Sequence, residues 1–146
     1  MGRSLPSCCH AFTPLESVGQ AGHTFNFWIH IMTTTIWHNP RCSKSRQTLT
    51  LLEERGISAA VRLYLDDAPS TTEVAEVLNQ LGIAPWELLR RGEKAFKELG
   101  LDKNSADQEL IEAMSANPIL IERPIVIHGG GAALGRPPES VLGLFD

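Results

Sequence analysis

The spacing of apolar positions changes several times along this chain, and each change predicts an element. Thr33-Thr34-Thr35-Ile36-Trp37 is β-branched and aromatic, which predicts a short strand, and Asn39-Pro40 is the turn signal that stops it. From Ser43 to Arg55, Leu49, Leu51 and Leu52 give one helical face, and Gly56 supplies a C-terminal stop. Ala59 to Leu65 predicts a second strand, ended by Asp66-Asp67-Ala68-Pro69. Ser70 or Thr71 then caps a helix carrying Val74, Val77, Leu78 and Leu81 at helical spacing, up to Gly82. Pro85-Trp86-Glu87-Leu88-Leu89-Arg90 predicts a short helix with proline at its tolerated first position. Phe96 and Leu99, then Leu110, Ile111 and Met114, continue this helical region until Asn117-Pro118 breaks it.

Pro124-Ile125-Val126-Ile127-His128 predicts a third strand, and Gly129-Gly130-Gly131 before Ala132-Ala133-Leu134 reads as a hairpin turn. The triple glycine lacks GxGxxG spacing and no long helix follows it, so it is not read as a phosphate cradle. Arg136-Pro137-Pro138-Glu139 opens a final helix through Val141, Leu142 and Leu144. The order is β-α-β, then helices, then β-β-α. It predicts an α/β fold in which a mixed sheet is flanked by helices and the first strand delivers Cys42 to the sheet's carboxyl end, where open α/β sheets place ligands.

Residues 1–31 lack such periodicity and carry Pro6, Pro14 and scattered glycines. They are expected to be a disordered leader or to reflect a start assigned too far upstream, with one domain over 32–146. A length of 146 residues, 42% of them hydrophobic, fits a single compact core and leaves no room for a second full domain. The net charge of −4 argues against a general nucleic-acid or acidic-membrane surface, and no apolar run approaches the roughly 20 residues that span a bilayer. Cys8, Cys9 and Cys42 are too few and too uneven for the disulfide framework of a secreted domain, so a reducing cytoplasm is expected. Cys8, Cys9 and His10 lack the further ligands of a tetrahedral metal site, and none is expected.

The chemistry centres on Cys42, which opens a helix amid Arg41, Lys44 and Arg46. A helix N-terminus and nearby cations lower a thiol pKa and favour the nucleophilic thiolate. His38 lies four residues upstream and can hydrogen-bond in the loop or help ionise the thiol. Ser45, placed where Cys-x-x-Cys would have its second cysteine, can donate to the thiolate or be an ordinary first-turn serine. Without a resolving thiol at that position, turnover of a modified Cys42 requires an external thiol. Arg90, Arg123 and Arg136 each stand at an element boundary, from which a guanidinium can reach a cleft and bind an oxyanion. Any one of them also fits a solvated surface residue.

Three blocks carry a family resemblance: His38-Asn39-Pro40-Arg41-Cys42 with Ser45-Arg46, Asn117-Pro118-Ile119-Leu120-Ile121-Glu122-Arg123-Pro124-Ile125-Val126, and Gly135-Arg136-Pro137-Pro138-Glu139. Over residues 32–146 the chain resembles the glutaredoxin-coupled arsenate reductases of the thioredoxin-like superfamily. The resemblance implies a thioredoxin-like sheet with a helical insertion between the second and third strands. It also implies a catalytic Cys42 assisted by His38, with Arg90, Arg123 and Arg136 as oxyanion-binding arginines. Arsenate would be the substrate, glutathione the thiol co-substrate rather than a tightly bound cofactor, and glutaredoxin the partner. Arg123-Pro124 resembles the superfamily's proline loop, often cis. Ser43-Lys44 stands where the best-characterised reductases have Gly-Thr, which resembles a sister group with Cys-Ser-Lys-Ser. Two other readings fit the same residues. One is a glutathione-dependent thiol-disulfide reductase; the other is a non-enzymatic regulator that binds RNA polymerase, whose usual Cys-x-x-Cys switch Ser45 does not supply.

Overall fold

A computed structural model describes residues 33–146; the expected leader and the Cys8-Cys9-His10 cluster lie outside them. Within that span the elements are β1 (Thr34–Trp37), α1 (Ser43–Glu54), β2 (Ala59–Arg62), α2 (Thr71–Leu81), α3 (Pro85–Leu88), α4 (Lys94–Leu99), α5 (Asp107–Ala116), β3 (Ile125–His128) and β4 (Gly131–Leu134). A 3-10 turn at Pro118–Leu120 precedes β3, and a 3-10 segment at Pro138–Leu144 closes the chain. The sheet order is β2-β1-β3-β4, with β1 parallel to β2 and the other pairs antiparallel. The expected mixed sheet flanked by helices is therefore present, and four helices separate β2 from β3.

Successive strand residues point to opposite faces of a sheet, and here the alternation feeds two separate cores. Ile36 and Val126 point to one face and pack with Leu52 of α1 and Val141 of the C-terminal segment. Trp37 and Ile125 point to the other and join Tyr64, Val74, Leu78, Leu88, Leu110 and Met114. Fully burying aliphatic side chains of this kind contributes about 1.5–3 kcal/mol each, so β1 is held firmly from both sides. Ser70 caps α2 with a complete capping box: its Oγ accepts from the Glu73 N–H and the Glu73 carboxylate accepts from the Ser70 N–H.

Two elements differ from the sequence expectation. The second strand ends at Arg62, because Leu63 carbonyl oxygen accepts from both Asp66 and Asp67 N–H and turns the chain before Leu65. Leu63 and Leu65 are consequently exposed while Tyr64 between them is buried. The final helix is 3-10 rather than α, entered through Pro137 and Pro138.

Candidate active site

The loop after β1 is built by local hydrogen bonds. His38 N–H extends the parallel ladder to Arg62 carbonyl oxygen at 2.8 Å, and then Asn39 turns the chain. Asn39 Oδ1 accepts from Arg41 N–H at 2.9 Å, the self-bonded turn that asparagine favours. Asn39 carbonyl oxygen accepts from Cys42 N–H at 3.0 Å, and Cys42 carbonyl oxygen accepts the first helical bond from Arg46 N–H at 3.1 Å. Cys42 is thus the extended residue that caps α1, at φ −94° and ψ 121°, and it is partly exposed. It is the one free cysteine among the described residues.

Burial alone would push the Cys42 thiol up, but opposing interactions prevail. The backbone N–H of Ser45, the Arg123 guanidinium and the backbone N–H of Lys44 stabilise the thiolate and hold its pKa below the ordinary thiol value. Ser45 therefore acts on the sulfur through its backbone. Its hydroxyl is fully buried and faces the other way, accepting from Asn39 N–H at 3.0 Å and meeting His38 Nδ1 at 2.8 Å. His38 is buried too, and burial followed by the nearby Arg46 charge lowers its pKa against a smaller opposing contribution from Ser45. A neutral ring protonated at Nε2 lets Nδ1 accept the Ser45 proton, consistent with that shift. The Cys42 loop is in this way tied to the first turn of α1.

The three arginines, which sequence spacing alone could not bring together, do converge. Leu88 carbonyl oxygen accepts from Glu122 N–H and Leu120 carbonyl oxygen from Arg90 N–H, so the stretch after α3 lies antiparallel against the stretch before β3. That pairing puts Arg90 beside Glu122, where its Nη1 donates to Glu122 Oε1 at 3.1 Å while Nε and Nη2 both reach Glu93 Oε1 at 2.9 Å. Arg136 arrives from the end of β4: its Nε donates to Arg123 carbonyl oxygen at 2.9 Å and pairs with Glu122 Oε1 at 2.9 Å. The close approach that brings it there requires Gly135, since a Cβ at that position would fall 2.5 Å from Thr48 Oγ1 and 2.6 Å from Pro124 Cγ. The Arg123-Pro124 bond is cis, as the resemblance implied, and Arg136-Pro137 is also cis.

Arg123 is the guanidinium that reaches the thiol. Its side chain is 12% exposed, its Nη1 lies 3.5 Å from Tyr64 Oη, and its Nη2 lies 3.9 Å from Glu93 Oε1. Its Nε is buried and without a hydrogen-bond partner among the described residues. Burial keeps the Tyr64 phenol above its usual pKa, against the pull of Arg123 and Arg90, so it stays protonated while its oxygen accepts from Arg123 Nη1. Tyr64 rests against Trp37 with ring centroids 6.3 Å apart. Sequence reasoning missed Tyr64, Glu93 and Glu122. Glu122 adjoins Arg123 within a motif block and Tyr64 closes the second predicted strand, but Glu93 carried no signal at all.

A mixed sheet with one cysteine of lowered pKa at a helix N-terminus, acted on by the guanidinium that precedes a cis-proline, defines a thioredoxin-like protein with a single cysteine among the described residues of its site. Residues 37–144 match the ArsC family, and the chain belongs to it. An arsenate reductase of Neisseria meningitidis serogroup A is 49% identical over 108 residues, covering 73% of this chain and 92% of the relative. YfgD of Escherichia coli K12, named only as an uncharacterized protein, is 49% identical over 109 residues with the same coverages. The solved structure of an arsenate reductase from Vibrio cholerae is similar with a TM-score of 0.75 and 47% identity, over 77% of this chain and 98% of that one.

Proposed function

We propose that this protein is an arsenate reductase that uses Cys42 as its nucleophile, with glutathione and glutaredoxin as electron donors in a reducing cytoplasm. The observation that carries the reading is the Arg123 guanidinium, which favours the Cys42 thiolate and whose Nε is buried without a hydrogen-bond partner among the described residues. Arsenate reductases among the relatives at 49% and 47% identity support the choice of substrate. The thiolate attacks arsenic and an arsenate hydroxyl, protonated from solvent, leaves as water, giving a Cys42 sulfur-arsenic bond. Arg123, Arg90 and Arg136 neutralise the oxyanion as it approaches, and preorganised charge of this kind is the usual source of stabilisation where charge develops. A glutathione thiol then displaces a second oxygen as water. A glutaredoxin thiol attacks the glutathione sulfur, so that the two thiols supply two electrons and leave as a mixed disulfide, with arsenic reduced to As(III) on Cys42; a water molecule then adds to arsenic as the Cys42 sulfur leaves, releasing arsenite and the Cys42 thiolate.

His38 and Ser45 are assigned to holding the loop. Their hydrogen bond fixes the first turn of α1, whose Ser45 and Lys44 N–H groups face the sulfur. A groove of about 540 Å³ runs along α1 from Ser43, next to Cys42, and is lined by Lys44 and Arg46 together with Glu54 and Glu139. Among the described residues no helix is long and apolar enough to cross a membrane. The reading is tested by measuring arsenite formation with glutathione and glutaredoxin for the wild type and Cys42→Ser. Loss of all activity in the variant is expected; equal rates would remove the assignment, and reduction of a glutathionylated substrate without arsenite formation would favour a thiol-disulfide reductase.

A further inference from the structure

The anion-binding arginines already hold an anion of their own. Glu122 Oε1 accepts from Arg90 Nη1 at 3.1 Å, pairs with Arg136 Nε at 2.9 Å, and accepts from Arg123 N–H at 3.2 Å. One carboxylate oxygen thus takes two hydrogen bonds, from Arg90 and from the Arg123 backbone, and an ion pair with Arg136, whose Nε–H is donated to Arg123 carbonyl oxygen. Glu93 occupies Arg90 on its other edge and lies 3.9 Å from Arg123. Both carboxylates are only about a quarter exposed, so water screens these pairs incompletely. An arginine edge paired with a carboxylate cannot donate fully to a second anion, because guanidinium N–H groups are directional and finite in number.

Resting on the oxyanion reading above, we propose that Glu122 is a built-in competitor for the incoming oxyanion and so determines how tightly the site admits one. To seat an anion on Arg90 and Arg136, the protein must give up or share the Glu122 pairs and must overcome the repulsion of its carboxylate. Binding is then an exchange of one anion for another, and the affinity reflects the difference. The same carboxylate keeps the guanidiniums gathered when no ligand is bound, which spares them from dispersing by mutual repulsion. Glu122→Gln separates the two effects: the amide oxygen still accepts from Arg90 Nη1 and the Arg123 N–H, but the competing charge is gone.

The experiment follows alkylation of Cys42 by iodoacetamide at fixed ionic strength and records the arsenate concentration that halves the rate. Glu122→Gln is expected to lower that concentration about tenfold, the worth of removing one charge-assisted hydrogen-bond partner. Glu122→Asp, which keeps the charge but draws it back by one methylene, is expected to give an intermediate value and serves should the amide variant fold poorly. Glu73→Gln removes a carboxylate from the distant Arg62 pair and is expected to change nothing. Protection that is unchanged or weaker in Glu122→Gln, or equally improved in Glu73→Gln, overturns the role of Glu122 while leaving the oxyanion reading intact. Absence of protection in every protein, wild type included, overturns both.

Discussion

Two arginine clusters flank the buried Trp37-Tyr64 pair, and they differ in their balance of charge. On one side Arg62 lies over Trp37, with its guanidinium carbon 5.6 Å from the ring centroid, and is bound by Asp67 at 2.8 Å and Glu73 at 2.7 Å. There one cation meets two carboxylates, and Glu73 is held below its usual pKa chiefly by the Arg62 hydrogen bond. On the other side Arg90, Arg123 and Arg136 share only Glu93 and Glu122, so three cations meet two carboxylates. The first cluster is satisfied within the chain and clamps the end of β2 to the start of α2. The second retains an excess positive charge, a buried Nε without a partner among the described residues and a thiol whose pKa is lowered. An arginine cluster is marked as a binding site by the pairing it leaves incomplete, and the number of arginines matters less.

The comparison breaks most sharply at Arg123. Arg123→Ala is expected to weaken arsenate protection of Cys42 by about a hundredfold, the upper end for a charge-assisted pair. It should also move the pH midpoint of alkylation upward, since Arg123 is among the groups that depress the thiol pKa. A pH-rate profile that does not move would assign Arg123 to the structural class beside Arg62. Next in size, Arg62→Ala is expected to leave arsenate protection unchanged and to cost about 1 kcal/mol in a denaturant melt, the scale of a partly exposed ion pair. A variant of Arg62 that lost anion protection would erase the distinction between the clusters.

Tyr64→Phe gives a smaller effect. Its Oη is 3.5 Å from Arg123 Nη1, a weak bond, so protection is expected to weaken only by about threefold while the fold, held by ring packing, stays intact. Stability near neutral pH supplies the mildest test. The pKa values of His38 and Cys42 are both lowered in the folded protein, which therefore binds fewer protons than the unfolded chain. Each contribution has a definite sign. Cys42 adds stability above the ordinary thiol pKa and loses it as pH falls through its folded value, while His38 becomes a liability as pH falls below about 6.5. Melting temperature should thus decline on acidification through both windows, and His38→Asn should remove the lower part of that decline.

The elements of this protein are written in local patterns. Thr34, Ile36 and Trp37 are of the β-branched and aromatic types that strands favour, Val74, Val77 and Leu78 recur at helical spacing, and Asn39-Pro40 places a turn between β1 and Cys42. Those short-range signals, with the motif blocks, were enough to predict the mixed sheet, the position of the thiol at a helix start and the likeness to a known family. They failed where a longer reach decides. Leu63 and Leu65 look like strand residues by composition, yet the turn bonds from Asp66 and Asp67 end the strand first. Ser45 sits where it could serve the thiolate, yet its hydroxyl is claimed by His38 and Asn39.

What the chain determined by itself is the candidate thiol and its local field, because a helix N-terminus and its first amides lie within a few residues of Cys42. What only the tertiary structure decided is the convergence of Arg90, Arg123 and Arg136, which stand far apart in sequence. The backbone pairing of Leu88 with Glu122 and the tight passage of Gly135 past Thr48 and Pro124 bring them to one point. Charge assembled from distant segments has no sequence period, so Glu122 at the centre of the cluster became visible only once those segments had met.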